Sequence, residues 1–186
     1  QPGERIRDGG CGTGIFTIDV LKSGAWGTGI DLSAAMLSRA VTRGGEQFAG
    51  LCADMCHLPF SDNSFDRVFS MTAIEFVADA ATAIAELNRV VKPGGRVVLT
   101  SLNGLSPWAE QRRNKAATQG HSLFDQAHFR TPAEMRSLIP AACEVKTAIH
   151  FLKQTAVDKV PEIEQQGMEQ NLETGAFLAV RWNKEV

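Results

Sequence analysis

The residues best suited to do chemistry are a glycine-rich bend, Asp8-Gly9-Gly10-Cys11-Gly12-Thr13-Gly14, and two further acids, Asp31 and Asp54. Glycines let a chain turn tightly and let a ligand reach the main chain with no Cβ in the way. Taken alone, such a bend serves a dinucleotide, a phosphate or a purely structural turn. The spacing narrows this. Glycines at 10, 12 and 14 follow G-x-G-x-G, whereas a dinucleotide fingerprint wants G-x-G-x-x-G. No Gly-Lys-Ser/Thr follows, which excludes a nucleoside-triphosphate loop. Asp31 stands 17 residues beyond Gly14, where a carboxylate accepts from both hydroxyls of a ribose. Asp54 in isolation reads as a turn or helix-capping acid. Acids at three successive strand ends ring one crevice, and their charge suits a cationic nucleoside and repels a diphosphate.

Other residues are candidates for proton transfer or acceptor binding. Glu75, in Thr72-Ala73-Ile74-Glu75-Phe76, reads either as a general base or as a first-turn helix acid. His121 and His128 become bases if their segment folds over the crevice, and surface residues if it does not. Trp108, Phe124 and Phe129 either line an apolar acceptor pocket or anchor their segment to the sheet. Tyrosine is absent, so no phenolic acid or base takes part. Cys52-x-x-x-Cys56-His57 lacks the second ligand pair that zinc prefers, and no metal is expected.

These residues need a scaffold, and short β-like runs alternate with helical periods. Strands are predicted at 4–8, 25–30, 49–53, 66–71, 96–102, 144–151 and 176–182. Val68-Phe69-Ser70-Met71 and Val97-Val98-Leu99 are nearly continuous apolar runs, as in strands buried on both faces. Ser33 caps a helix with Met36, Leu37, Ala40 and Val41 on one side. Asp79 caps another with Ala83, Ile84, Leu87, Val90 and Val91, stopping at Lys92-Pro93-Gly94-Gly95. Thr131-Pro132-Ala133-Glu134 is a capping box opening a helix through Ile139. Two stretches break the rhythm: 103–130, expected as a lid-like insertion, and 154–174, expected as a polar connection. The whole, 1–186, is expected as one α/β domain.

Composition bounds the function. The chain has 186 residues, 44% hydrophobic and 22% charged, an ordinary globular balance. Lys+Arg of 19 against Asp+Glu of 21 gives a net charge of −2, with no general attraction for nucleic acid or anionic membrane. No apolar run approaches the ~20 residues that span a bilayer, and the opening Gln-Pro-Gly-Glu-Arg has no signal-peptide core. The cysteines at 11, 52, 56 and 143 form no paired framework, so a reducing cytoplasm is expected.

The sequence resembles the class I S-adenosylmethionine-dependent methyltransferases, in particular the small-molecule group with the ubiquinone- and sterol-type enzymes. The resemblance rests on Asp8-x-Gly10-Cys11-Gly12-Thr13-Gly14, Gly29-Ile30-Asp31-Leu32-Ser33, Ala53-Asp54 followed by Leu58-Pro59-Phe60, Ser64-Phe65-Asp66-Arg67-Val68, and Glu86-Leu87-x-Arg89-Val90-Val91-Lys92-Pro93-Gly94-Gly95. It covers roughly residues 4–102. It implies a Rossmann-like three-layer αβα sandwich, its seven-stranded, mostly parallel sheet having an antiparallel last strand. It also implies S-adenosylmethionine as cofactor, S-adenosylhomocysteine as product and a small organic acceptor. The loop Gly10-Cys11-Gly12-Thr13-Gly14 would pack against the methionine and ribose portion, with Asp8 toward the amino group. Asp31 would hold the ribose, Leu32 and the Met55 main chain would flank adenine, and Asp54 would accept from its amino group. The Ser70 carbonyl would face the methionine amino group.

Some features depart from the family. Arg7 stands in a central strand, Gly9 holds a normally aliphatic place, and the helices that precede this strand in the family are expected to be missing from residues 1–186. They motivate the alternative of a non-catalytic binding or regulatory protein on the same fold. A nucleotide-dependent oxidoreductase is disfavoured by the glycine spacing. DNA amino and glutamine methylation are set aside because no Asn/Asp-Pro-Pro-aromatic tetrapeptide occurs. Cytosine C5 chemistry is set aside because Cys56 follows Met55 and not proline.

Overall fold

The three-dimensional description is a computed structural model that covers residues 2–119 and 126–186. Its strands are β1 (Arg5–Gly9), β2 (Trp26–Asp31), β3 (Phe48–Cys52), β4 (Phe65–Met71), β5 (Val91–Leu102), β6 (Cys143–Ala148) and β7 (Phe177–Asn183). They form one seven-stranded sheet in the order β3-β2-β1-β4-β5-β7-β6. The pairs among β1 to β5 are parallel, and β7 runs antiparallel to both neighbours. This is the Rossmann-like sandwich that the family resemblance implies.

The helices are α1 (Ile15–Leu21), α2 (Ala34–Gly44), α3 (Ala80–Val90), α4 (Pro107–Gln119), α5 (Pro132–Leu138) and α6 (Val160–Glu169). One face of the sheet gives Val68, Val97, Leu99, Leu178, Val180 and Trp182 to a core shared with Ile84 and Leu87 of α3 and Met135 of α5. Burying each such side chain is worth about 1.5–3 kcal/mol. The other face holds a smaller cluster of Cys11, Leu21, Leu37, Ala40 and Phe48 beneath α1 and α2. The helix starts follow local chemistry. The Ser33 hydroxyl accepts from the Met36 amide and Asp79 accepts from the Thr82 amide. Thr131 and Glu134 close a reciprocal capping box.

The structure differs from the sequence expectations in three places. Both stretches expected as loops contain helices. The Ser106 hydroxyl accepts from the Ala109 amide, and Pro107 is the first residue of α4, a good start for a helix. In α6 the outward residues are mixed, Met168 being exposed among polar neighbours, and the apolar stripe is too sparse to read as a period. β5 begins at Val91, because Val91 already pairs with Phe65, so Lys92-Pro93-Gly94-Gly95 lies inside the strand as an irregular segment. β6 ends at Ala148, because Ile149 turns to φ 65 and leaves the sheet.

Candidate active site

The glycine bend joins β1 to α1 and is shaped by what surrounds it. Gly10, Gly12 and Gly14 have φ of 73, 53 and 76, a region that side chains other than glycine rarely adopt. A Cβ on Gly10 would overlap the Ala73 Cβ, so this glycine permits the approach of the turn after β4. A Cβ on Gly12 would meet nothing within 4 Å: this side of the bend is open. The Cys11 amide donates to the Ile30 carbonyl (2.8 Å) and fastens the bend to β2. The Cys11 thiol turns away into the Leu21, Leu37, Ala40 and Phe48 cluster, and burial pushes it up to about 12. Thr13 is tied down by Arg43, whose Nη1 donates to its carbonyl and hydroxyl (2.9 Å each).

The acids line the edge of the sheet where β1, β2 and β3 end. Asp8 is 2% exposed. Its Oδ2 accepts from the Thr17 hydroxyl of α1 (2.5 Å), and its Oδ1 has no partner among the described residues. Burial pushes the carboxyl up to about 7; the Thr17 bond and Arg7 oppose this, and Asp31 adds to it. Asp31 accepts from the Gly12 amide on Oδ2 and from the Ser33 amide on Oδ1, 2.9 Å each. One carboxylate thus ties the glycine bend to the start of α2, and each oxygen keeps a lone pair for a further donor. Leu32 beside it is 74% exposed. Asp54 accepts from the Cys56 amide (2.9 Å), which chiefly holds its carboxyl below the ordinary range. Met55 is buried with its methyl against Gly9 and Gly10.

Two blocks of the sequence turn out to grip each other. Glu86 Oε2 accepts from the Leu58 amide (2.8 Å), while Arg89 donates to the carbonyls of Leu58 (3.0 Å) and Phe60 (2.8 Å). Arg89 also pairs with Glu86 (2.6 Å) and Asp62 (2.7 Å). This clamp from α3 fixes the segment that carries Asp54 and Met55. Sequence reasoning missed it; the available signal was an acid and an arginine three apart on a helix, which also fits a solvated pair. Arg7 lies beneath the same segment, its guanidinium 4.2 Å from the Phe60 ring centre and 5.7 Å from that of Phe65.

The turn after β4 forms the far side of the site. Ser70 is fully buried, its hydroxyl without a partner among the described residues. Thr72 has φ 49, unusual for a β-branched residue, and its amide donates to the Thr100 carbonyl (3.0 Å) and hydroxyl (3.1 Å). Glu75 sits in a 3₁₀ turn, Ile74–Phe76, and is 1% exposed. No well-aligned donor reaches its carboxylate among the described residues. Burial raises its pKa; main-chain amides of Glu75 and Leu102, the Ser101 hydroxyl and Arg130 oppose this. The imidazole of His128 is exposed, and only its main-chain amide meets Glu75, donating to the carbonyl (2.7 Å). Arg130, buried, donates to the Ile74 carbonyl (2.9 Å). Trp108 and Phe129 line one small cavity at the end of β5. His121 and Phe124 lie outside the described residues. Cys52 and Cys56 aim their thiols at different carbonyls, those of Leu32 and Asp79.

An open, mostly parallel sheet with a glycine bend after β1 and acids at the ends of β1, β2 and β3 makes this a doubly wound α/β protein with a crevice at the strand ends. The chain belongs to the methyltransferase family: the profile described as "Methyltransferase domain" matches residues 7–99, half of the chain. It is similar to a malonyl-[acyl-carrier protein] O-methyltransferase of Erwinia pyrifoliae, 41% identical over 107 residues, which are 55% of this chain and 39% of that protein. It is also similar to a demethylmenaquinone methyltransferase of Mycolicibacterium paratuberculosis, 38% identical over 98 residues, 53% of this chain and 41% of that one. These matches span about two fifths of either relative's own length. A solved structure from Thermotoga maritima, described as a SAM-dependent methyltransferase and possible histamine N-methyltransferase, shares the fold. It has a TM-score of 0.77 at 22% identity and covers 100% of this chain and 84% of that one.

Proposed function

We propose that the protein transfers the methyl group of S-adenosylmethionine to a small organic acceptor. The observation that carries this is the coincidence, on one strand edge, of the open left-handed Gly12, the Asp31 carboxylate that fixes it, and the orphaned buried oxygen of Asp8. An unpaired buried carboxylate oxygen is costly, and a ligand ammonium group supplies the missing donor. The residues therefore fit S-adenosylmethionine, the cofactor that the resemblance to class I methyltransferases implies. Asp31 would take the ribose, Asp54 and the Met55 main chain the adenine, with Leu32 against the ring, and Asp8 and the Ser70 carbonyl the methionine amino group. Gly10, Gly12 and Gly14, with the Cys11 and Thr13 main chain, would form the floor.

When bound, the cofactor supplies an electrophilic methyl carried on a sulfonium. Charge disperses as a methyl moves from such a centre, so the chain mainly has to position the acceptor and exclude water. We assign proton removal, where an acceptor needs it, to Glu75 and not to the outward-facing His128. A buried carboxyl with a raised pKa is a stronger base than an exposed one. The free thiols of Cys11, Cys52, Cys56 and Cys143 suit a reducing cytoplasm. No described helix is long and apolar enough to cross a membrane.

Calorimetry with S-adenosylhomocysteine tests this reading. Binding is expected for the parent chain, and Asp31→Asn is expected to weaken it about ten- to a hundredfold, the worth of one charge-assisted hydrogen bond. No detectable binding, or binding indifferent to Asp31, sinks the reading. The buried charge of Arg7 favours binding without turnover as a second reading, and turnover of any phenol, thiol or amine acceptor rules that out.

A further inference from the structure

We propose that the cavity under Trp108 and Phe129 seats a compact, uncharged hydrocarbon group of the methyl acceptor, such as a single aromatic ring or a short branched alkyl, and that Ile149 sets its size limit. The proposal rests on the methyltransferase reading above and adds to it the class of acceptor.

The cavity lies at the end of β5, on the same sheet edge as the glycine bend, and holds about 190 Å³. An enclosed apolar cavity of roughly 150 Å³ takes one benzene ring, so this hollow, open to solvent on one side, has the volume for a single ring. Its wall is made by Leu102, Trp108, Ala109, Phe129, Ile149 and Ala176. The polar side chains on the wall are spent inside the protein. The Asn103 amide nitrogen donates to the carbonyls of Glu173 and Gly175 (2.7 Å each), and its oxygen accepts from the Leu105 amide (3.0 Å). The Ser106 hydroxyl donates to the Asn103 carbonyl (2.7 Å) and accepts from the Ala109 amide (3.1 Å). The Trp108 indole N–H donates to the Phe151 carbonyl (2.7 Å). Arg112, the charged side chain on the described wall, is part-exposed and already engaged. Against this wall the polar groups of a sugar, a nucleobase or a zwitterion find no free partner side chain, whereas a hydrocarbon gains by leaving water.

A second observation points to the same wall. Ile149 has φ 65, an outlier for a β-branched residue, and is 38% exposed. The conformation is held from outside. Glu164 of α6 accepts from the amides of Ile149 (2.9 Å) and His150 (2.8 Å), and the Ile149 carbonyl accepts from the Ala176 amide (3.0 Å). Glycine or asparagine would make this bend with less strain. Strain that the surroundings over-determine is a mark of a functional position, and here it holds a branched apolar side chain against the cavity.

The test is fluorine NMR on the full chain with fluorobenzene, with and without S-adenosylhomocysteine. Fluorobenzene is expected to bind saturably, also to protein saturated with S-adenosylhomocysteine, since an acceptor subsite must fill alongside the cofactor. 5-Fluorouracil, a polar ring of similar size, is expected to bind at least about a hundredfold more weakly. Ala109→Leu, which fills the cavity, should abolish fluorobenzene binding. Ile149→Gly, which enlarges it, should admit 1-fluoronaphthalene, which the parent excludes. The proposal is overturned by fluorobenzene that fails to saturate, that competes with S-adenosylhomocysteine, or that ignores both substitutions, and equally by 5-fluorouracil binding as well as fluorobenzene. Calorimetry with S-adenosylhomocysteine on the same samples reports their folding and separates the two claims. Intact cofactor-product binding with no fluorobenzene site defeats the acceptor class alone, whereas a fluorobenzene site without cofactor-product binding defeats the methyltransferase reading and, with it, the assignment of the cavity to an acceptor.

Discussion

At Arg7 a guanidinium is wholly enclosed on the central strand, stacked on Phe60, with no hydrogen-bond acceptor among the described residues. Burial lowers its pKa to about 9, against the attraction of Asp8 and Glu86. A stack on an aromatic ring returns about 0.5–2 kcal/mol, less than desolvation of a lone charge takes away. Arg7→Met keeps the volume and removes the charge, and is expected to raise stability by about 1–3 kcal/mol in urea unfolding; a loss of stability would mean that the cation has a partner that earns its burial. Asp8 gives a second prediction. Its carboxyl is raised from 3.8 to about 7, so between these values the folded chain holds a proton that the unfolded chain has released. Its contribution to stability is complete below about pH 4 and is lost as pH rises through about 7. The lowered carboxyls, Glu4 and Asp66 among them, act at lower pH and with the opposite sign. The urea midpoint should therefore fall between pH 5 and 7.5, and Asp8→Asn should flatten that fall. An unchanged slope in Asp8→Asn assigns it to another group, with Glu75 next in line because its pKa is raised too.

At the scale of elements, the site depends on segments that do not neighbour one another in sequence. The Ala53–Phe60 segment has no regular structure of its own beyond β3 and is held by α3 through Glu86 and Arg89. Arg89→Met would orphan the Leu58 and Phe60 carbonyls and release Glu86. A loss of about 2 kcal/mol is expected, from several charge-assisted hydrogen bonds that are only partly shielded from water. Because the freed segment carries Asp54 and Met55, affinity for S-adenosylhomocysteine should fall further than the loss of stability accounts for at a temperature where the variant stays folded. Equal affinity in variant and parent would show that the clamp serves folding alone. The sequence made the β4 and β5 runs and the caps at Ser33, Asp79 and Thr131 legible, because each is a local pattern. The positions of Asp8, Asp31 and Asp54 at strand ends were legible for the same reason. Their partners were not: Thr17 and Arg43 reach the bend across a helix, and Glu86 and Arg89 act over nearly thirty residues. Ile149 was hidden altogether, since a β-branched residue argues locally for continuing the strand, and the bonds that hold it out of the sheet come from Glu164 on α6 and the Ala176 amide.

Taken as a whole, the molecule places the two proposed half-sites on one sheet edge, the glycine bend with its acids on β1 to β3 and the apolar cavity beyond β5. The turn after β4 stands between them, and a strap of residues 128–130 fastens it. The His128 amide donates to the Glu75 carbonyl, Arg130 to the Ile74 carbonyl, and the Gly104 amide to the Arg130 carbonyl. Gly104 has no room for a Cβ against the Phe129 main chain, so the strap is seated closely on the end of β5. Phe129, in the middle of the strap, is also part of the cavity wall. The halves are thus built on separate supports that meet at Arg130. Arg130→Met should orphan the buried Ile74 carbonyl and cost about 1–3 kcal/mol. It should also speed hydrogen exchange at the His128 and Gly104 amides while leaving the Cys11 and Gly12 amides protected. Affinity for fluorobenzene should fall by about tenfold or more, in step with a loosened wall, and affinity for S-adenosylhomocysteine should stay within about threefold of the parent. If the affinity for S-adenosylhomocysteine drops as far as that for fluorobenzene, the two half-sites share one support, and Arg130 is a keystone of the whole edge and not of the acceptor side.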